Sequence, residues 1–223
     1  MAARAVRSVL VRMRGPDGRL FAVWKDGRAH QAATLDDYAY FIWALTELYE
    51  AQYDAAWLEE AGALTRSALE LFAGEDGGLY FTVRDAADLP LRGINAWDGA
   101  APSGQSVMAM NLARLARLLE CEEFEQRAHT LIASLAGEAA QMPTAFPFLL
   151  AAHDYLCDGG ADVAVTQGEG AGALLRAASG GYRPYLTVRL VKTQGEGLAR
   201  AHVCARGACY PPVTKAEQMA ALL

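Results

Sequence analysis

Acidic and aromatic side chains stand together at two places in the chain. Asp36, Asp37 and Tyr38 are consecutive, and Trp97 is followed directly by Asp98. Carboxylates can exchange protons or bind sugar hydroxyls, and an aromatic face can stack on a pyranose ring. Glycosidases use two carboxylates that lie about 5 to 9.5 Å apart. The residue types therefore predict a carbohydrate site in which Asp36, Asp37 and Asp98 are catalytic.

Other residues near these carboxylates are predicted to bind the substrate: Tyr38, Arg92, Trp97, Ser103 and Gln105. A structural alternative exists for part of this set, because Ser and Asp are also common N-cap residues of helices. Capping explains Ser103 and one of the two consecutive aspartates. It does not explain the second aspartate, Tyr38, Trp97 or Asp98, and the functional prediction rests on these four residues.

A 67-residue offset relates two stretches of the chain. It superposes Leu45 on Leu112, Trp57 on Phe124, and Asp36 on Ser103. Repeated apolar positions at a fixed period indicate repeated structural units. The chain is therefore predicted to contain helical hairpins that open with N-cap residue types.

Apolar spacing predicts the helices of these hairpins. Helices that are apolar on nearly every face are expected to be buried, whereas helices with one charged face border solvent. Buried helices are predicted over residues 35–51, 103–119 and 144–156, and amphipathic helices over 55–72 and 122–135. Alternating buried and amphipathic helices are typical of a toroid whose inner helices line the centre. The predicted fold class is mainly α, a partial α/α toroid of helical hairpins.

Two further segments depart from the helical pattern. Within the connection 73–102, glycines followed by Leu79–Val83 predict a β-hairpin. After residue 158, a strand over 162–166, a helix over 170–178 and a strand over 186–191 predict a small α/β appendage. The predicted domains are thus a helical region, 1–158, and an α/β tail, 159–223.

Composition limits the partners. A formal net charge of −6 argues against nucleic acid and anionic membranes, since binding phosphates takes clustered lysines and arginines. No apolar run reaches the roughly 18 to 20 residues of a membrane span. Neither a signal peptide nor a cofactor motif is predicted, and the default compartment is the cytoplasm.

Four cysteines are too few and too scattered for a disulfide-rich secreted domain. Reduced thiols are therefore expected. Cys204 and Cys209 fit neither a C-x-x-C motif nor a complete zinc set, so structural thiols or a local disulfide are favoured over a metal site, and no metal is predicted. A redox pair that serves a thioredoxin partner is a further alternative.

Several strings resemble a known family. They are Leu35–Ala39, Leu48–Ala51, Gly77–Tyr80, Asp98–Val107, and the tail from Val203 to Pro212. They are similar to the C-terminal region of the large thioredoxin-domain-containing proteins of the spermatogenesis-associated protein 20 and YyaL-like family. Gln105 departs from the family pattern, which usually has Asn there, and the chain holds no thioredoxin-like C-x-x-C motif.

The helical part of that family is similar to six-hairpin glycosidase toroids and to N-acylglucosamine 2-epimerases. The resemblance implies carbohydrate binding or processing by analogy, with glycosidase-like or epimerase-like chemistry if the chain is an enzyme. Only about two and a half hairpins are predicted, so the open edge of the toroid is expected to be covered by another chain or a second copy. The alternative is a non-catalytic helical interaction module.

Overall fold

The computed structural model describes residues 1–86, 91–158, 160–193, 197–205 and 207–223. Packing divides the chain into a helical unit, residues 1–153, and a C-terminal unit, residues 154–223. The described elements are mainly helical with small sheets, in agreement with the predicted class. The sequence predicts a domain boundary after residue 158, which is the last residue of a helix that begins in the helical unit.

The elements of the helical unit follow one another as α1 (Ala2–Arg12), β1 (Phe21–Lys25), β2 (Arg28–Ala32), α2 (Leu35–Gln52), α3 (Ala55–Phe72), α4 (Gly104–Leu119), α5 (Glu122–Gln141) and α6 (Pro147–Asp158). A 3-10 turn, Pro143–Ala145, precedes α6. Strands β1 and β2 pair as an antiparallel hairpin. Pro147 is the first residue of α6, where a missing backbone N–H removes no intrahelical bond.

The predicted hairpin repeat is present in the backbone. Helix α2 packs against α3 and α4, and α4 packs against α5. The two hairpins also turn in the same way: the residue after α2, Tyr53, has φ 54°, and the residue after α4, Glu120, has φ 52°. These two residues are themselves 67 positions apart. The helix pairs are thus confirmed, whereas closure into a toroid stays a prediction.

Apolar side chains of the four central helices form the core of the helical unit. Those with no exposed surface include Ile42, Leu45, Leu64, Leu112, Leu115 and Phe124. The prediction that α2 is buried on every side is wrong. Tyr40 and Trp43 are partly exposed and Glu47 is exposed, at helical spacing along one face. Aromatic residues count as apolar in a sequence pattern, yet here they lie on the face that α3 and α4 leave open.

The β-hairpin predicted in the connection 73–102 does not form among the residues described there. Only one isolated bridge, between Ala73 and Leu79, is present. The backbone finds its partners at the end of α3 instead: the Tyr80 N–H donates to the Phe72 carbonyl at 2.7 Å, and the Arg84 N–H donates to the Leu71 carbonyl at 2.9 Å. Residues 87–90 lie outside the described residues.

The C-terminal unit contains a four-stranded mixed sheet. Its elements are β3 (Ala161–Thr166), α7 (Ala171–Ala178), β4 (Leu186–Val191), β5 (Ala201–Ala205), β6 (Ala208–Cys209) and α8 (Ala216–Ala220). The strand order is β4-β3-β5-β6, with β3 parallel to β4 and antiparallel to β5. The predicted strand–helix–strand unit is therefore confirmed, and β5 and β6 extend it.

The general expectation of reduced thiols is wrong for Cys204 and Cys209, whereas the alternative of a local disulfide between them is confirmed. Cys204 and Cys209 form a disulfide. Strands β5 and β6 pair antiparallel with these two residues directly opposite each other, which brings their side chains together. The strand register that creates this proximity is not visible in the spacing of the cysteines alone.

Candidate functional site

The two consecutive aspartates at the start of α2 have different structural roles. Asp37 accepts hydrogen bonds from the Thr34 N–H at 2.7 Å and from the Thr34 hydroxyl at 2.8 Å, which closes a capping box on α2 itself. Asp36 instead reaches the next central helix, where its Oδ1 accepts from the Gly104 N–H at 3.0 Å. The N-cap of α2 is thus Thr34, and Asp36 caps α4 across the helix pair.

Gly104 makes this cross-helix contact possible. A Cβ atom at this position would lie 2.3 Å from Asp36 Oδ1, far inside van der Waals contact. The absence of a side chain lets the carboxylate approach the first N–H groups of α4, which have no intrahelical partner. Ser103 completes the cap, because its Oγ accepts from the Ser106 N–H at 3.2 Å. The predicted capping role of Ser103 is confirmed.

Asp98 holds the starts of two helices at once. Its Oδ1 accepts from the Ser103 N–H at 2.8 Å, next to α4, and its Oδ2 accepts from the Phe148 N–H at 2.8 Å, in the first turn of α6. An anionic carboxylate is favoured at both places by the unpaired N–H groups and the helix dipole. Both oxygens of Asp98 are thus bonded to the backbone.

Asp36, Tyr40 and Asp98 converge on three consecutive residues, and we call them the helix-start cluster. The Tyr40 hydroxyl donates to the Pro102 carbonyl at 2.8 Å, beside the residues that Asp98 and Asp36 contact. Because neighbouring amide nitrogens are separated by less than about 4 Å, the accepting oxygens of Asp36 and Asp98 lie no more than about 10 Å apart. That bound includes the separations that glycosidases use, and the catalytic pairing stays a prediction.

Burial shifts the pKa values of two members of the cluster. Desolvation raises the pKa of Asp36, the Gly104 hydrogen bond opposes this, and repulsion from Asp37 adds to the rise. Desolvation also raises the pKa of the Tyr40 hydroxyl, with further contributions from the negative charges of Asp36 and Asp98. The raised pKa means that Asp36 keeps its proton to a higher pH than an ordinary aspartate does.

A row of three aromatic rings begins at Tyr40 of the cluster and extends through Trp43 on α2 to Phe148 on α6. Trp43 stacks on Tyr40 with ring centroids 6.1 Å apart and contacts Phe148 at 5.2 Å. The Trp43 indole donates to Glu47, which also forms an ion pair with Arg114 at 2.7 Å. The sequence analysis did not single out these rings as site residues, although the spacing of Asp36, Tyr40, Trp43 and Glu47 was a detectable signal for a shared face.

Two of the predicted binding residues, Gln105 and Arg92, bond to the connection 73–102, and a third, Tyr38, bonds to the residue before β1. Tyr38 is 1% exposed, and its hydroxyl accepts from the Leu20 N–H at 2.9 Å. The Gln105 side-chain amide bonds both the N–H and the carbonyl of Leu79. Arg92 donates to the Thr82 carbonyl, and its guanidinium lies 4.2 Å from the centre of the Tyr80 ring. These contacts are with the protein itself, and ligand contacts of the three residues stay predictions.

The side chain of Trp97 has different partners from that of Asp98, its neighbour in sequence. Its side chain is 59% exposed, and the indole Nε1 donates to Glu138 Oε2 on α5 at 3.4 Å. The residues on either side have other partners: the Ala96 carbonyl accepts from the Ser103 hydroxyl, and the Asp98 N–H donates to the Ala145 carbonyl. The side chains of Trp97 and Asp98 therefore have different partners, α5 for one and the helix starts for the other.

A cleft of about 350 Å³, here called the Trp97 cleft, lies between the connection and α5. Its polar lining residues are Asp76, Asn95, Trp97, Ser134 and Glu138, and its apolar ones are Ile94, Ala96 and Leu135. The sequence analysis missed Asp76, Ser134 and Glu138. Ser134 and Glu138 are four residues apart on α5, so helical spacing already places them on one face.

A tight turn supports one wall of this cleft. The Gly74 N–H donates to the Gly78 carbonyl at 2.8 Å, and Asp76 Oδ1 accepts from the Gly78 N–H at 3.1 Å. Gly77 has φ +89°, and a Cβ there would lie 2.6 Å from Thr130 Cγ2 on α5. Only glycine allows both this conformation and this close approach. The turn is thereby seated directly on α5, which positions the Asp76 carboxylate.

Homology to spermatogenesis-associated protein 20 covers about half of the chain. The mouse protein is 36% identical over 115 residues, which is 51% of this chain and 15% of the mouse protein. The human protein is 36% identical over 120 residues, which is 53% of this chain and 15% of the human protein. An uncharacterized protein of Caenorhabditis elegans is 29% identical over 123 residues, which is 55% of this chain and 17% of that protein.

The aligned segments therefore span less than a fifth of the length of these relatives. No protein-family model matches the chain. None of the described helices combines the length and the apolar composition that a crossing of a lipid bilayer requires.

Proposed function

We propose that the chain is a carbohydrate-binding module and that the Trp97 cleft is its binding site. The observation that supports this proposal is the exposed indole of Trp97 at a cleft whose other side chains offer two carboxylates, an amide and a hydroxyl. Ligand sites typically combine an apolar surface with a few convergent polar groups. A volume of about 350 Å³ suits a ligand of monosaccharide size.

Each wall of the cleft supplies one part of sugar recognition. The indole face of Trp97 can cover the C–H groups of a pyranose, because aromatic rings bury large apolar areas without a polar penalty. Asp76 and Glu138 accept hydrogen bonds from hydroxyl groups, and Asn95 both donates and accepts. The hydrogen bond between Trp97 and Glu138 fixes the indole in a defined orientation, which reduces the entropy lost on binding.

The partial α/α toroid belongs to the same proposal. It is supported by the repeated helix pairs α2–α3 and α4–α5, with their matching turns. Within that architecture, the helix-start cluster is where we propose carbohydrate processing if it occurs. Asp36 would then act as the proton donor, because its pKa is raised. The catalytic roles of Asp37 and Asp98 stay predictions.

Binding is tested by titrating the protein with a panel of monosaccharides, followed by saturation-transfer NMR and by indole fluorescence. We expect at least one neutral sugar to bind, with affinity reduced about tenfold or more by Trp97→Ala through loss of the stacking surface. Trp24→Ala is the matched control, since Trp24 is also exposed but lies on β1. Equal sugar affinity of the two variants, or no binding of any sugar, overturns the proposal.

A second candidate function, a helical interaction module, is favoured by an apolar groove of about 320 Å³ along α5 and α6. Residues that line it include Ile132, Ala136, Pro143 and Leu150, and Leu150 is 40% exposed. Sedimentation velocity over a range of concentrations tests this candidate. It predicts a dimer that Leu150→Glu weakens and that the control Val11→Glu on α1 retains, whereas a monomer at every concentration contradicts self-association.

A further inference from the structure

The charge of the Trp97 cleft is unbalanced. Asp76 and Glu138 are the ionisable side chains among the described residues that line it, and no lysine, arginine or histidine lines it there. Two carboxylates therefore contribute negative charge to a small volume, and no lining cation compensates them. Such a field favours a ligand that carries positive charge.

Neither carboxylate is neutralised by an ion pair within the part of the chain that the structure describes. Asp76 accepts one hydrogen bond from the Gly78 N–H, and Glu138 accepts one from the Trp97 indole. Each carboxylate can accept several hydrogen bonds, so acceptor capacity remains at both sides of the cleft. A protonated amine offers three donors and a full charge to these acceptors.

Trp97 adds a second attraction for the same kind of group. A cation close to the face of an indole is stabilised by the quadrupole of the ring, and tryptophan is the most effective residue in this role. The indole is exposed and is oriented through its hydrogen bond with Glu138. A ligand that stacks on Trp97 while its amine contacts one carboxylate and a hydroxyl contacts the other would use all three side chains together.

We infer that the Trp97 cleft selects amino sugars with a free, protonated amine over neutral sugars. This inference rests on the proposed carbohydrate-binding function and specifies its substrate class. Surface ion pairs and exposed cation–π contacts are individually weak, so the expected preference is about fivefold in the dissociation constant. The preference should fall as salt concentration rises, because salt screens the carboxylates.

The test compares four probes at about pH 6, where the amine is protonated. Glucosamine carries the amine, glucose has a hydroxyl in its place, N-acetylglucosamine is the neutral amide, and cyclohexylamine has the amine without the hydroxyls. Dissociation constants are measured by calorimetry or NMR titration. We expect glucosamine to bind about fivefold more tightly than the two neutral sugars and more tightly than cyclohexylamine.

Variants test whether the preference for glucosamine arises from the carboxylates of the Trp97 cleft. Glu138→Gln removes one charge from an exposed side chain and should lower glucosamine affinity more than glucose affinity. Asp76→Asn should act in the same direction. Glu125→Gln is the matched control, because Glu125 is an exposed carboxylate on α5 that does not line the cleft.

The outcomes separate the two proposals. Equal binding of glucosamine and glucose overturns the amine preference and leaves carbohydrate binding standing. Binding of cyclohexylamine as tightly as glucosamine contradicts carbohydrate recognition, because the hydroxyls then contribute nothing. If none of the four probes binds, the amino-sugar inference fails. If Glu138→Gln leaves the preference for glucosamine over glucose unchanged, the inference is also overturned, since the negative charge of Glu138 then does not contribute to that preference.

Discussion

The helix-start cluster and the Trp97 cleft contain the same kinds of side chain, but their carboxylates differ in hydrogen-bond partners. In both, carboxylates lie near aromatic rings. At the helix starts, Asp36 and Asp98 accept hydrogen bonds from backbone N–H groups of α4, α6 and the residue that caps α4. In the cleft, Asp76 and Glu138 retain acceptor capacity beside an exposed indole.

The clearest difference is between Asp98, whose two oxygens both accept from backbone N–H groups, and Glu138, which accepts from a side chain. A helix start has four N–H groups without intrahelical partners, and a nearby carboxylate satisfies them at little cost. Such a carboxylate stabilises the fold. The N–H groups in the last turn of a helix are bonded within the helix, so Glu138, in the last turn of α5, has no unpaired helix N–H group beside it. Removing each carboxylate should therefore change folding at one site and binding at the other.

The largest expected effect comes from Asp98→Ala. This change leaves the N–H groups of Ser103 and Phe148 without an acceptor, and we expect the free energy of unfolding to fall by about 3 kcal/mol. Urea denaturation monitored by circular dichroism measures it. A loss below about 0.5 kcal/mol would show that water replaces the carboxylate at both helix starts, and the structural role assigned to Asp98 would be wrong.

A smaller loss is expected for Gly104→Ala. The new Cβ would lie 2.3 Å from Asp36 Oδ1 and displace the carboxylate, which should cost about 2 kcal/mol of unfolding free energy. Gly99→Ala is the control, because no atom lies within 4 Å of its Cβ position. The cost of Gly104→Ala should be smaller in a protein that already carries Asp36→Ala. Full additivity of the two changes would contradict the contact.

The pH dependence of stability gives a finer test of the same carboxylate. The pKa of Asp36 is raised in the folded protein above its ordinary value of 3.8, so ionisation of this group costs stability. Its favourable contribution is present below that value and is lost as the pH rises through the folded pKa. Asp36→Asn cannot ionise. Its unfolding free energy should therefore increase relative to that of the wild-type protein as the pH is raised from about 3 to about 6.

Urea unfolding of both proteins at several pH values measures this difference. A difference that decreases with rising pH would mean that the Gly104 hydrogen bond outweighs burial, and that Asp36 is stabilised as an anion.

The smallest expected effect on stability belongs to the cleft. Glu138 is exposed, and among the described residues its side chain accepts a hydrogen bond only from the Trp97 indole, so Glu138→Gln should change the unfolding free energy by less than about 0.5 kcal/mol. Thermal or urea denaturation checks this value beside Asp98→Ala. A loss that approaches that of Asp98→Ala would remove the distinction between structural and available carboxylates on which the comparison depends.

Local sequence patterns predicted the secondary structure well where the residues of a single helix or strand determine it. The repeated helices and the strand–helix–strand unit could be inferred from apolar spacing, whereas the matching turns at Tyr53 and Glu120 were found only in the structure. The predicted β-hairpin after α3 failed because its backbone groups bond to carbonyls at the helix end. Those partners belong to α3, so the pattern of residues 79–83 alone does not reveal them.

The candidate site was predictable only in part for the same reason. The sequence singled out Trp97 and Asp98 as a pair, but their side chains bond to different parts of the helical unit. The Asp76 and Glu138 carboxylates come from a turn and from α5, and nothing in their local sequence connects them.

The sequence by itself determined the helices and their pairing in hairpins, since these follow from apolar spacing and capping residues. Tertiary structure decided which carboxylates remain open. A carboxylate becomes structural when another helix start lies within hydrogen-bond distance, as Gly104 does for Asp36. It stays available when none does, as for Glu138. That distance depends on how α2, α4 and α6 pack, and long-range packing is not encoded in any short stretch of the chain.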